Sequence, residues 1–153
     1  MIHLRPERAD DEPFLFSLFC AVRDAEFALL PQSQREPLLR MQYQAQGRAY
    51  AERFPRAEHF IVEFDGQPAA RLLLNREDDE LRVVDIAVVP ELRGHGIAST
   101  VLRSLISEAE GAGIAVRLSV WHDNPALGLY RRLGFVVRSE SATYLELEWR
   151  PAS

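Results

Sequence analysis

Apolar residues along this chain switch repeatedly between the two-residue period of a strand and the longer period of a helix. Ile2 to Arg5 alternates as a short strand. Asp10 or Asp11 can cap a helix from Glu12 to about Arg23, where Phe14, Leu15, Leu18, Phe19 and Val22 recur at helical spacing. Leu29-Leu30-Pro31 breaks that run. A second helix is expected from about Gln34 to Phe54, with Pro37 disturbing its start and Pro55 closing the region. His59 to Phe64 alternates as a strand, Asp65-Gly66 signals a hairpin, and Gln67 to Arg76 returns as the partner.

Glu77-Asp78-Asp79 reads as a solvated loop tip. Leu81 to Val88 carries apolar residues at both parities, the mark of a central strand covered on both faces. From Gly96 to Glu110, the residues Ile97, Val101, Leu102, Leu105, Ile106 and Ala109 form the stripe of an amphipathic helix, which Gly111 to Gly113 close. Ala115 to Trp121 is a strand, Pro125 to Leu133 a short helix, and Phe135 to Ser141 and Thr143 to Trp149 are two final strands. The order is β-α-α-β-β-β-α-β-α-β-β, a mixed α/β sheet with no repeat or linker to divide residues 1–153, so a single domain is expected.

Composition narrows the function. The balance of 47% apolar and 27% charged residues is that of an ordinary globular chain. No apolar run approaches the roughly 20 residues of a membrane span, and the N-terminus lacks the apolar centre of a signal peptide, so a cytoplasmic location is expected. The net charge of −5, without a basic block, argues against nucleic acid as a partner. The one cysteine, Cys20, forms no internal disulfide or metal cluster and sits in an apolar stretch as core filler. All 18 basic residues are arginine, so the chain cannot acylate itself on a lysine side chain.

The informative stretch is Val83 to Ser99. A buried strand stops at Pro90, and an Arg/Gly turn then opens the amphipathic helix. The first four N–H groups of a helix lack partners, and its dipole places roughly half a positive charge there. Gly94 and Gly96 let the backbone bend, and Arg93 adds a delocalised cation suited to phosphate oxygens. That is the physics of a pyrophosphate site, although the same residues also describe an ordinary tight turn. Neither the P-loop pattern nor the dinucleotide fingerprint is present.

Arg93-Gly94-His95-Gly96-Ile97-Ala98 resembles the Gln/Arg-x-x-Gly-x-Gly/Ala loop of the GNAT acetyltransferase superfamily. The likeness continues in Asp123-Asn124-Pro125-Ala126-Leu127-Gly128-Leu129-Tyr130-Arg131-Arg132-Leu133-Gly134-Phe135. It implies a mixed, mostly antiparallel sheet flanked by helices, and transfer of an acetyl group from acetyl-CoA to an amine. The loop, including the amides of His95 and Ser99, would bind the pyrophosphate of acetyl-CoA. Ile86-Ala87-Val88 would pair with its pantetheine arm, and the amide near Val88 would serve as oxyanion donor. The strands Leu81–Val88 and Ala115–Trp121 would splay around the thioester, with Pro90 removing a pairing amide. Tyr130 matches the family's general acid, and Asn124 stands near an asparagine that touches CoA. The family's common spacing between those two is seven residues, against six here, and a helix cap explains Asn124 equally well.

One family feature is missing. Several members carry a glutamate base on the strand before the second segment, where this chain has Ser119 in Leu118-Ser119-Val120. Asp85, a carboxylate in an apolar strand, is either the base or the partner of an arginine such as Arg71 or Arg117. His122 and a water chain remain alternatives. The acceptor is an amine contacted by the N-terminal helices and last strands, among them Glu26, Phe27, Tyr43 and Tyr50. A non-catalytic acyl-CoA-binding module is the rival reading. The exposed edge expected for the strand Tyr144–Trp149 would let two copies pair as a homodimer.

Overall fold

The two periodicities resolve into a sheet covered by helices on both faces. The computed structural model describes residues 1–152, and the side chains of Ala25 and Glu26 fall outside the described residues, so the expectation for Glu26 does too. The elements are β1 (Ile2–Pro6), α1 (Glu12–Val22), α2 (Gln32–Arg53), β2 (Glu58–Phe64), β3 (Gln67–Arg76), β4 (Glu80–Val88), α3 (Ile97–Ala112), β5 (Ala115–Trp121), α4 (Leu127–Arg132), β6 (Val136–Glu140) and β7 (Tyr144–Trp149). This is the expected order. Unforeseen were three one-turn 3₁₀ segments, at Ala9–Asp11, Asp24–Phe27 and Pro90–Leu92.

The sheet runs β1-β2-β3-β4-β5-β7-β6. Every neighbouring pair is antiparallel except β4 and β5. Val83, Ile86 and Val88 of β4 share one face with Leu72, Leu74, Val116, Leu118, Leu145 and Leu147. There they meet Ile97, Val101, Leu102, Leu105 and Ala109 of α3 and Tyr130 of α4. On the other face α1 packs on β3 and β4, burying Leu15, Leu18 and Phe19.

Local departures have local causes. Helix α2 starts at Gln32, immediately after Pro31, and runs through Pro37. Asp11 precedes α1 without capping it, because its carboxylate accepts two bonds from the Arg5 guanidinium, at 2.8 and 2.9 Å, and one from the Arg8 amide at 2.7 Å. Gly96, expected inside α3, is its N-cap, and α3 ends at Ala112 with Gly113 as C-cap. Strand β7 lies between β5 and β6, so it has no free edge; the edge belongs to β6, with Val136 and Val137 exposed. The homodimer surface expected at Tyr144–Trp149 is therefore already filled by its neighbours.

Candidate active site

Strands β4 and β5 pair only from Glu80 to Val83 against Ala115 to Leu118. Beyond that they part. The cause is not Pro90, as the sequence suggests, because the parting starts six residues earlier. On β3, the consecutive residues Leu73 and Leu74 face Asp85 and Val83, leaving Val84 as the extra residue of a β-bulge. A bulge bends its strand and increases the twist, and this one falls just where pairing with β5 ends.

The bulge also sets which backbone groups face the opening. The Val89 amide donates to the Ala69 carbonyl at 2.9 Å, and Val88 sits opposite Ala70. Val88 and Ala70 are therefore a non-hydrogen-bonded pair, and the amide of Val88 points away from β3 toward the gap. By alternation Ile86 does the same, while Ala87 spends its backbone groups on Arg71 of β3. Of the three residues expected to meet the pantetheine arm, Ile86 and Val88 turn their backbone groups away from β3, with the Ile86 amide also near the Asp85 carboxylate.

At the top of β4 the chain makes one 3₁₀ turn over Pro90–Leu92 and enters the glycine turn. Gly94 and Gly96 have φ of +85° and +78°, which other residues adopt only at a cost, and a Cβ on either would meet open space. Their glycine identity thus serves backbone direction and not clearance. No side chain caps α3, so the amides of Ile97, Ala98 and Ser99 remain available to an anion. Arg93 is exposed and makes no ion pair among the described residues. The His95 ring braces the loop, with Nδ1 donating to the Leu92 carbonyl at 3.1 Å and the ring edge-on to Phe64.

Tyr130 sits on α4, in the core on the α3 face of the sheet. Its ring is buried against Phe135, with centroids 5.9 Å apart, and its hydroxyl has no hydrogen-bond partner among the described residues. Burial, with the Asp85 charge adding to it, pushes the phenol up to about 12, so it stays protonated across the working pH range. Asn124 Oδ1 accepts from the Ala126 amide at 2.7 Å, closing the turn before α4, which begins at Leu127 and not at Pro125. Its cap-like role is thus seen one turn ahead of the helix.

Asp85 lies on the opposite face of β4, toward α1 and α2. Burial raises its carboxyl above the usual range, against the opposing pull of Arg71, Arg23 and the Ile86 amide. Its Oδ2 is 4.0 Å from Arg71 Nε, beyond hydrogen-bond length, and that buried Nε has no partner among the described residues. Arg117, the other partner considered, is committed elsewhere, at 2.5 Å to Glu80 and 2.8 Å to Glu148. His122 Nε2 donates to the Ser141 carbonyl at 2.7 Å, and the residue is exposed. Tyr43 is tied to Glu12, whereas Tyr50 lies beside Arg71 and feels the Asp85 charge.

The family model of the acetyltransferase (GNAT) family matches residues 20–135. The chain belongs to this family. A Bacillus subtilis protein, named for alanine N-acetylation of ribosomal protein bS18, is 31% identical over 85 residues, 52% of this chain. The match covers 54% of that relative, so the chain spans about half its length. Among solved structures, the PaiA N-acetyltransferase of Thermoplasma acidophilum in complex with coenzyme A superposes with a TM-score of 0.73, at 16% identity, over 98% of this chain and 99% of that one. The ribosomal-protein-S18-alanine N-acetyltransferase of Escherichia coli gives 0.67 at 21% identity, over 100% and 96%. At those identities the structural likeness speaks for the fold.

What the sequence did not reveal is Glu146. It lies on β7 directly opposite Ser119, and its carboxylate accepts a hydrogen bond from the Ser119 hydroxyl. Only the register of a strand pair distant in sequence brings it there.

Proposed function

We propose that this protein transfers the acetyl group of acetyl-CoA to a primary amine by direct attack. The observation that carries the reading is the gap between β4 and β5, which the Val88 amide faces below an uncapped helix; the Tyr130 hydroxyl, without a partner among the described residues, would reach it from α4. The pyrophosphate would rest on the amides from Gly94 to Ser99 with Arg93 beside it, and the pantetheine arm would pair along Ile86 and Val88. Asn124 keeps its amide nitrogen free for the cofactor.

With the thioester in the gap, ionised Asp85 takes a proton from the acceptor ammonium, whose nitrogen attacks the thioester carbon. The carbonyl oxygen gains charge opposite the Val88 N–H. The C–S bond then breaks, Tyr130 gives its proton to the departing sulfur, and the extra proton left on the new amide nitrogen passes through solvent to the phenolate. The products are the N-acetylated amine and free CoA. Orientation of the two substrates is the larger contribution, on the order of 7–11 kcal/mol at best, against roughly a hundredfold for the acid.

The test is to incubate the protein with acetyl-CoA and primary amines of several classes, reading acetylated product by mass and free CoA by thiol titration. Coupled appearance of both, slowed by Tyr130→Phe, supports the proposal. Binding of acetyl-CoA without product from any amine would favour the non-catalytic acyl-CoA-binding module.

A further inference from the structure

The face of the sheet away from α3 and α4 is open at its β5–β7 end. Ser119 and Trp121 of β5 project there beside Tyr144 and Glu146 of β7, in the register Ser119↔Glu146 and Trp121↔Tyr144. The two aromatic rings are 56% and 43% exposed with centroids 5.1 Å apart, an unusual investment of large apolar surface in solvent. Tyr144 is also near enough to Tyr50 on α2 to influence its ionisation, and this patch lies on the same face of the sheet as the Asp85–Arg71 pair.

Within the patch the Glu146 carboxylate is held and not saturated. Oε1 accepts from Arg82 Nη2 at 2.5 Å and Oε2 from the Ser119 hydroxyl, while two of its four lone-pair directions are unclaimed among the described residues. Burial pushes its carboxyl up, but Arg82 and Ser119 outweigh that and hold it below the usual range, so it is ionised wherever the enzyme would work. Arg82 in turn is shared with Glu80 at 3.1 Å, which leaves Glu146 part of its negative charge. The side chain is 22% exposed, reachable but fixed.

We propose that Glu146 anchors the ammonium of the acceptor, with Trp121 and Tyr144 as the aromatic wall beside it. A carboxylate next to aromatic faces favours a primary ammonium through charge and cation–π attraction together. The carboxylate that this chain lacks at position 119 is thereby supplied from the neighbouring strand, across one rung of the β5–β7 ladder. Division of labour follows: Asp85, whose proton affinity is raised, takes the proton, and Glu146, permanently ionised, holds the amine. Glu146 has no part in binding CoA.

This inference rests on the acetyl-transfer reading, and the experiment separates the two. Steady-state kinetics are measured with an alanine-initiated peptide, spermidine and an aminosugar as probe amines, for the parent and for Glu146→Gln. The expected result is a KM for the amine raised at least tenfold, an unchanged KM for acetyl-CoA and an unchanged thermal shift on acetyl-CoA binding. Adding Ser119→Glu to Glu146→Gln returns the carboxylate to the same rung and recovers most of the loss. If Glu146→Gln does not fold, Glu146→Asp keeps a charge for Arg82 but withdraws it by one methylene, and raises the amine KM by a smaller factor. An amine KM unchanged in the folded variant overturns the proposal. So does a loss of acetyl-CoA binding in parallel with no recovery by Ser119→Glu, since Glu146 would then only brace Arg82. A parent protein that acetylates none of the probes overturns the acetyl-transfer reading itself.

Discussion

The two ends of the β4–β5 seam are built from similar residues and treat them in opposite ways. At the paired end, Arg117 bridges Glu80 and Glu148, Arg82 bridges Glu80 and Glu146, and Glu148 also meets Arg150 at 2.8 Å. Each charge there has an opposite partner, with Glu146 keeping part of its hydrogen-bonding capacity open. At the parted end, among the described residues, Asp85 has an arginine only at 4.0 Å, the Tyr130 hydroxyl has no hydrogen-bond partner, and the Val88 amide lies outside the β4–β5 ladder. Buried polar groups in proteins are normally satisfied, and Arg71 Nε beside Asp85 is not; in the proposed reading a ligand completes this end of the seam. One end holds the sheet together and the other is held ready by it.

Removing charge from the paired end is the harshest way to break this contrast. Arg117→Met leaves the Glu80 and Glu148 carboxylates facing each other without their shared partner, and is expected to cost about 3–5 kcal/mol in chemical unfolding. Whatever protein remains folded should keep its KM for acetyl-CoA. At the parted end the balance reverses. Tyr130→Phe should slow turnover by about a hundredfold, equivalent to ~2.7 kcal/mol of barrier, with melting temperature and acetyl-CoA affinity little changed. Undiminished turnover would remove Tyr130 from the mechanism.

A smaller effect is expected at the cradle. Gly96→Ala forces a left-handed backbone on a residue with a Cβ, at about 1–2 kcal/mol, and should weaken acetyl-CoA binding more than it slows the bound complex. Isothermal titration checks the first and single-turnover rates the second.

Acid sharpens the comparison most gently. The Glu148 carboxyl is raised by burial but lowered further by Arg117 and Arg150, so its folded pKa lies below the unfolded one. Its contribution to stability is present above the ordinary carboxylate range and is lost as the pH falls. For Asp85 the folded pKa lies above the unfolded one, so its ionisation costs stability as pH rises. Asp85→Asn should therefore melt slightly higher than the parent at neutral pH, with the difference vanishing in acid. It should also erase the acid limb of kcat/KM, which in the parent lies above the usual carboxylate range. A variant that melts lower at neutral pH, or keeps that limb, would show that Asp85 is structural.

Much of this was legible in the chain. Period alone places the sheet and helices within a few residues, because the stripes of α3 and the parity of β4 are consequences of burial. The cradle is local too: Gly94, Gly96 and the start of α3 are contiguous, so their geometry follows from neighbours in sequence. Local misses such as the 3₁₀ turns and the helix starts shift an end by a residue or two, and the misses that matter to the site are ones of register between distant segments. The bulge at Val84, and not Pro90, opens the seam. Strand β7 inserts between β5 and β6 and so loses the edge it was expected to expose. Glu146 comes opposite Ser119 only through that same insertion. Pairings of this kind depend on which strands become neighbours, and periodicity within a strand carries no record of that.

The central claim is that the parted end of the seam, with the uncapped helix above it, is completed by acetyl-CoA. Thermal unfolding with and without the ligand tests it most directly. At about a hundred times its dissociation constant a ligand adds roughly 2.7 kcal/mol, which for a chain of this size raises the melting temperature by about 5–10 °C. The account predicts a shift of that order, retained in Tyr130→Phe and reduced in Gly96→Ala. No shift at millimolar acetyl-CoA would contradict it.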